Sequence, residues 1–398
     1  MTDTRAGVGP HRQPPAASLY VHIPFCASRC FYCDFTTYVA PATARQAYLE
    51  ALSKELALLA AEVRTPLETV FFGGGTPTLL DSRQWDELLT SLRRALPISD
   101  HAEITVEANP GTVDLEKLRV LAGHGVNRIS FGAQTLNDRL LLAIGRLHDA
   151  DTVLRSIDQA QRAGFSRINV DLMLGLPDQS MADVEASLRT MADLGVEHLS
   201  AYWLKVEAGT PFADWLDQGL LNLPGEDLEA QMYERVREYL TAQGYVHYEI
   251  SNFAKPGGQA RHNLVYWRNY AYLAAGVGAH GYVGGVRYEN VKSLAAYSQM
   301  LAEGRRPIQE SQVVSAQEAA EDTMMLGLRL AEGVADARFR SQHGCGIRDA
   351  FGPVVKRLID LELVEWHGAS LRLTRQAWPV ANLAFAPFVG ALTGAASA

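Results

Sequence analysis

Three of the four cysteines stand within eight residues, as Cys26-x-x-x-Cys30-x-x-Cys33, and the fourth, Cys345, lies alone far down the chain. Thiolates are the usual ligands of iron–sulfur clusters, and a cubane cluster has four irons. Three closely spaced thiolates hold three irons and leave the fourth open. An open iron is what a cluster needs to bind and reduce a small molecule directly. The competing reading is a zinc site completed by a histidine such as His22. A structural zinc site usually draws paired ligands from two separate segments, and no second pair follows. Four cysteines in 398 residues make no disulfide scaffold. A tight trio in a chain without an export signal points to metal ligation in a reducing compartment.

The elements that position these residues alternate in type. Apolar β-rich runs at Leu19–Ile23, Thr69–Phe72, Glu103–Glu107, Arg128–Phe131, Ile168–Met173 and His198–Leu204 read as six strands. Helical spacing fills 42–62, 82–96, 114–122, 137–144, 151–163, 180–194 and 226–243 between and after them. Six βα units are the signature of a parallel sheet covered by helices. Periodicity alone leaves a doubly wound open sheet and an incomplete barrel both open. In either, ligands bind at the C-terminal ends of the strands. The Cys loop, Gly73-Gly74-Gly75-Thr76-Pro77, Glu107 and Gln134 fall after strands one to four.

The pattern changes near residue 245. Residues 246–300 are rich in Gly, Tyr, His and Asn, helical stretches follow at 315–332 and 346–362, and a hairpin-like run spans 363–373. Two helices and a hairpin predict a small, mostly helical, winged-helix-like domain. The expected organisation is a flexible tail (1–17), a barrel (18–245), a motif-bearing and connecting region around His262 (246–310) and a C-terminal domain (311–390), with the last small residues frayed. A net charge of −9 argues against a general nucleic-acid binder, and 47% hydrophobic with 20% charged residues excludes a largely disordered chain. No apolar run reaches the roughly 18 residues of a membrane helix, and the first 17 residues hold no apolar signal core.

The Cys motif after a first strand, with Tyr32 before its last cysteine, resembles the radical S-adenosylmethionine (SAM) superfamily. The resemblance implies a partial (β/α)6 barrel, a 4Fe–4S cluster on Cys26, Cys30 and Cys33, and SAM held at the open iron through its amino and carboxylate groups. One electron then cleaves SAM to a 5′-deoxyadenosyl radical. It further implies SAM contacts from Gly74, Gly75 and Thr76, a ribose contact from Glu107, and contacts from Gln134, Arg146 and Asp171, with Tyr20 beside the cofactor. Without it, a tight turn for the glycines, a surface ion pair for Arg146 and a strand-end turn for Asp171 are the plain readings.

Tyr20-Val-His-Ile-Pro-Phe-Cys26, Gly-Gly-Gly-Thr-Pro-Thr and a later Gly-Leu-Pro narrow the resemblance to the HemN/HemW family. Coproporphyrinogen III dehydrogenases of that family carry a further Cys two residues past the third ligand and a longer N-terminal region. Here Phe35 holds that position, and Cys-Asp-Phe resembles the HemW branch of haem chaperones. His262-Asn-Leu-Val-Tyr266-Trp267 resembles the haem signature of that branch. Neutral imidazole is a good axial ligand for haem iron, and Tyr266 and Trp267 offer flat apolar faces. Arg261 and Arg268 could pair with propionates. The plain reading has His262 capping a turn among core aromatics. Gly276-Val-Gly278-Ala-His280 either lines the site or is a tight loop, and Cys345 reads as a buried or incidental thiol.

The resemblance thus implies a chaperone that holds a cluster, SAM and haem and passes haem to haem-dependent proteins, membrane respiratory enzymes among them. The alternatives are oxidative decarboxylation of coproporphyrinogen propionates and radical chemistry on an unrelated substrate. An oxygen-sensitive cluster and no signal imply the cytoplasm, with transient contact at the inner membrane face and a homodimer left open by the resemblance.

Overall fold

The computed structural model describes residues 8–394. Six strands follow one another in the order the alternation predicts: β1 (Ser18–Ile23), β2 (Leu67–Gly74), β3 (Ile98–Ala108), β4 (Arg128–Gln134), β5 (Arg167–Leu174) and β6 (His198–Trp203). They pair in parallel with each sequence neighbour, and this stepwise order settles the choice left by periodicity. A doubly wound sheet reverses direction at a switch point; this one does not, and it curls as a partial barrel. Capping fixes where the covering helices begin. Asp81 and Ser180 form capping boxes for Ser82–Ala95 and Met181–Asp193, and Asp114 and Asp149 each accept a first-turn N–H.

The period of two along each strand sorts the side chains. Val21, Phe72, Val106, Ile129, Val170 and Leu199 point outward and are buried beneath the helices. Their neighbours Tyr20, Phe71, Thr105, Glu107, Ser130, Asn169 and Asp171 face a lumen. The polar residues are therefore set on the inside by the same alternation that builds the core.

Residues 246–310 contribute three strands to this sheet and the start of a second one. β7 (Val246–Glu249) and β8 (Asn252–Ala254) extend it beyond β6, and β9 (Leu273–Ala275) adds a parallel strand beside β1. Among the described residues the outer strands β7 and β9 do not pair, so the barrel stays open. β10 (His280–Val283), β11 (Val286–Asn290) and β12 (Ile308–Val313) make a separate antiparallel sheet. Short strands among Gly and Tyr carry too little alternation to be read from sequence.

The C-terminal domain is a winged helix with one helix more than expected. Ala316–Gly327, Asp336–His343 and Ile347–Asp360 precede the wing of β14 (Val364–His367) and β15 (Ser370–Leu373), which pairs with β13 (Val334–Ala335). The expected tail is corrected for its described part. Gly9 and Arg12 donate backbone N–H groups to the carbonyls of His343 and Gln342, each at 2.8 Å, and the His11 ring stacks on His343 at 4.8 Å. Residues 1–7 lie outside the described residues. The expected fraying at the other end is corrected as far as residue 394, because Gly390, Leu392 and Thr393 donate N–H groups to the Glu321 carboxylate. Among the described residues no helix is long and apolar enough to cross a membrane.

Candidate cofactor site

The cysteine loop leaves β1 under tight backbone control. Cys26 N–H donates to Tyr38 O at 3.0 Å and Tyr38 N–H to Pro24 O at 2.7 Å, so the loop closes on itself. The Gly run packs against it: Gly75 N–H donates to Ile23 O and Thr76 N–H to Phe25 O. A Cβ on Gly75 would stand 2.7 Å from Phe25 O and 2.9 Å from Cys26 Sγ. Gly74 has φ +116°, and a Cβ there would meet the His22 ring at 2.5 Å. Only glycine fits both positions.

The three sulfurs face one cavity of 140 Å³, whose wall includes Gly74, Gly75, Glu107, Gln134, Arg146 and Asp171. Burial pushes the Cys26 and Cys33 thiols up; around Cys26 the Thr76 hydroxyl, 3.7 Å from Sγ, and Arg146 pull the other way. Arg146 Nη1 lies 3.6 Å from Cys30 Sγ, a cation placed where thiolate charge needs compensation. The zinc reading fails on its fourth ligand. His22 has Nδ1 on Tyr20 Oη at 3.0 Å and Nε2 on Thr36 O at 2.9 Å. Among the described residues no three His, Cys, Asp or Glu side chains are grouped for a single metal ion. Three thiols around one cavity, with a cation beside them and no fourth protein donor among the described residues, fit a cluster with one open iron.

Two carboxylates share that cavity. Glu107 is pushed up to about 8 by burial and by the charge of Asp171, against the Gly74 N–H that Oε2 accepts at 3.1 Å. Burial raises Asp171 as well, against hydrogen bonds from Ser200, Asn169 and Ser130. Such groups suit ribose hydroxyls or an ammonium, because each ligand donor replaces lost hydration. Gln134 sits at φ +69° beside a bulge that turns its amide into the cavity.

Arg146 is fixed by Asn109 Oδ1 at 3.1 Å and Gly132 O at 2.5 Å, and a Cβ on Gly132 would stand 2.6 Å from its Nη2. Asn109 and Gly132 went unnoticed in the sequence. Stepping by two from Glu107 finds Asn109, since alternate strand residues share a face; the bulge between Gly132 and Gln134 breaks that period and hides Gly132.

Below the cluster cavity the lumen widens to 470 Å³. The helix Arg261–Trp267 closes its floor, where His262 N–H donates to Glu103 Oε1 at 3.0 Å. His262 is 1% exposed, stacks on Phe71 at 5.3 Å and bonds through both ring nitrogens: Nδ1 to Thr69 Oγ1 and Nε2 to Tyr266 Oη, each at 2.8 Å. Thr69 spends its own proton on Ser18 Oγ at 2.9 Å, so Nδ1 carries the imidazole proton and Nε2 is the acceptor. Burial pulls this histidine down to about 3, which keeps it neutral. A neutral imidazole with Nε2 aimed at a lumen can bind iron there once Tyr266 moves aside.

Residues 20–191 match the family model described as the radical SAM superfamily, and residues 314–380 match the HemN C-terminal domain. Heme chaperone HemW of Bacillus subtilis is 42% identical over 94% of this chain and 100% of its own length. The chain belongs to the HemW family. Heme chaperone HemW of Escherichia coli is 40% identical over 68% of this chain and 71% of its own. A mitochondrial radical S-adenosyl methionine domain-containing protein 1 of Danio rerio is 33% identical over 80% and 74%. The solved coproporphyrinogen III oxidase HemN of Escherichia coli superposes with a TM-score of 0.81 at 25% identity, over 94% of this chain and 91% of that one.

Within this HemW-family fold the expected contacts divide. The three cysteines, Gly74, Gly75, Glu107, Gln134, Arg146 and Asp171 meet at one cavity, and His262 and Tyr266 reach the lumen below it. Tyr20 lies between the two groups, stacked on Phe71 at 6.2 Å. Thr76 stands behind Cys26, taking a hydrogen bond from Asn109 Nδ2 at 2.8 Å, and does not line that cavity. Trp267 is corrected: it turns away from the lumen and lies under the Arg329 guanidinium at 4.3 Å. Arg261 and Arg268 are corrected too. They pair with Glu68 at 3.0 Å and Glu332 at 3.2 Å on the outer side of the helix, in a groove separate from the lumen. Alternation on a seven-residue helix cannot carry all of these residues to one face. Gly276 is a structural hub, its N–H held by buried Glu55 at 2.7 Å, while Gly278 and His280 line a side cavity. Cys345 is buried, as expected of an incidental thiol.

Proposed function

We propose that this chain is a haem chaperone that holds a 4Fe–4S cluster, SAM and haem and hands haem to haem-dependent proteins. The observation that carries the reading is the single lumen joining the cysteine cavity to His262, in a chain that matches a HemW along nearly its whole length. Cys26, Cys30 and Cys33 would hold the cluster. Gly74, Glu107, Gln134, Arg146 and Asp171 would hold SAM. When bound, the cluster supplies a single electron to a SAM sulfonium. Arg146 holds positive charge against Cys30, Asn109 and Gly132 hold Arg146, and His262 keeps its proton on Nδ1, leaving Nε2 for iron. Tyr266 contributes its ring to the lumen wall and its hydroxyl to Nε2. Acceptors of the membrane respiratory class, transient contact with the inner membrane face from a cytoplasmic location and a homodimer belong to the same proposal.

The test is an anaerobic haem titration of reconstituted protein followed by visible difference spectra, with His262→Ala alongside. Saturable binding that is lost in His262→Ala, with the cluster retained, is expected. Wild-type protein that takes no haem with its cluster intact would overturn the chaperone and return the argument to radical chemistry, and protoporphyrinogen released from SAM, reductant and coproporphyrinogen III would replace the chaperone by a dehydrogenase.

A further inference from the structure

The floor of the lumen holds a cation that neither the cluster nor the iron ligand uses. Arg128 pairs in register with Thr105 of the neighbouring strand, is 2% exposed and reaches the lumen wall. The nearby carboxylates lean towards a second arginine: Arg167 lies 3.4 Å from Glu103 and 3.5 Å from Glu197, whose Oε2 takes no hydrogen bond among the described residues. Arg128 keeps one hydrogen bond, Nη1 to Gly258 O at 3.1 Å, and a Glu197 oxygen at 4.0 Å. Beside it, the Thr105 hydroxyl is 1% exposed by residue and has no hydrogen-bond partner among the described residues. The other polar groups of this level satisfy one another. His198 bonds Asn169 at 2.6 Å and Tyr248 at 2.7 Å, and Asn169 bonds Ser130 at 2.7 Å.

Two donors are thus left over at one place, one of them charged. A buried guanidinium whose one counter-charge lies 4.0 Å away and is shared with Arg167 is only partly compensated, and the acceptor that matches its fork and a neighbouring hydroxyl is a carboxylate. The wall above is aromatic, with Tyr20, Phe71 and Tyr266. We propose that Arg128 and Thr105 form a carboxylate subsite at the floor of the lumen, which anchors an apolar ring ligand by a propionate-type side chain. This deepens the chaperone reading, and it needs no bond to iron.

That independence sets the probe. Metal-free mesoporphyrin and its dimethyl ester differ in carboxylate charge and share the ring, and their binding is read by fluorescence titration. Arg128→Met should weaken mesoporphyrin by roughly tenfold to a hundredfold, the range of a charge-assisted hydrogen bond, and leave the ester within about twofold. Arg128→Lys keeps the charge without the fork and should lie between. Thr105→Val should weaken the diacid by roughly threefold to tenfold. Should Arg128→Met fail to fold in a thermal melt, the other two variants carry the comparison. Equal losses for acid and ester, no loss for either, or wild-type protein that does not prefer the acid would overturn the subsite. The two readings fail separately. A His262-dependent haem spectrum with no acid–ester difference sinks the subsite alone, and an Arg128-dependent acid–ester difference without His262-dependent haem binding sinks the chaperone alone.

Discussion

Removing the Tyr266 hydroxyl tests the ligation proposal from an unusual direction, because it should strengthen haem binding. His262 Nε2, the nitrogen free to meet iron, accepts the Tyr266 hydroxyl at 2.8 Å, while Nδ1 stays on Thr69 at the same distance. Iron must therefore displace one hydrogen bond of an otherwise preset ligand. A net hydrogen bond contributes about 0.5–1.5 kcal/mol. Tyr266→Phe spares that cost, keeps the aromatic wall, and should tighten ferric haem by roughly twofold to tenfold. The assay is a haem titration of the reconstituted protein with spectral readout, run beside wild type and His262→Ala. The phenol itself is a poor iron ligand here, since burial raises its pKa well above the ordinary value and disfavours phenolate. A Tyr266→Phe variant that loses haem as His262→Ala does would refute this reasoning and make the tyrosine oxygen the contact to iron.

Three further outcomes follow from the same geometry. Cys30→Ala should lose the iron–sulfur chromophore after anaerobic reconstitution while the fold persists; an intact four-iron spectrum would remove Cys30 from the ligand set. Gly75→Ala forces a Cβ to 2.7 Å from Phe25 O and 2.9 Å from Cys26 Sγ, so overpacking of about 1–3 kcal/mol falls on the cysteine loop, and iron content should drop further than thermal stability does. Acid should destabilise the apo-protein through His262, which is about 3 when folded against 6.5 when unfolded. The unfolded state binds the extra proton between those values, so stability is full above pH 6.5 and falls by about 1.4 kcal/mol per pH unit below it. His262→Gln should flatten the slope measured by denaturant titration between about pH 6 and 4 by about one proton; an unchanged slope would mean the imidazole is solvated.

The sheet and the cluster end of the site were legible because both rest on local patterns. Six apolar runs with helical spacing between them define βα units, and Cys26, Gly75, Glu107 and Gln134 stand at the strand ends where such folds bind ligands. The lumen floor was harder. Its helix, Arg261–Trp267, lies in a stretch without long periodic elements, and a motif does not say which of its side chains face inward. His262 and Tyr266 share a face as i and i+4, whereas Trp267 goes to Arg329 and both arginines go to glutamates from elsewhere in the fold. Those partners are tertiary, and so was the packing that holds residues 9–12 on the winged helix. Arg128 was passed over because a strand-edge arginine looks like an ordinary surface charge until the register places it beside Thr105 inside the barrel.

The Tyr266–His262 pair also bears on how a chaperone can let go. A protein that keeps its haem permanently gains by leaving the ligating nitrogen with no other partner. A buried polar group without a partner costs about 1–3 kcal/mol, which falls on the empty state and holds the cargo in. Here the empty state has a partner ready: the Tyr266 hydroxyl sits 2.8 Å from Nε2 and Thr69 keeps the ring oriented. The imidazole exchanges iron for a hydroxyl without passing through an orphaned state of long life. Neutrality at every pH above about 3 means that protonation of His262 does not drive release near neutral pH. On the proposed ligation, discharge instead turns on competition at Nε2 between the iron and the phenol on the next turn of the same helix.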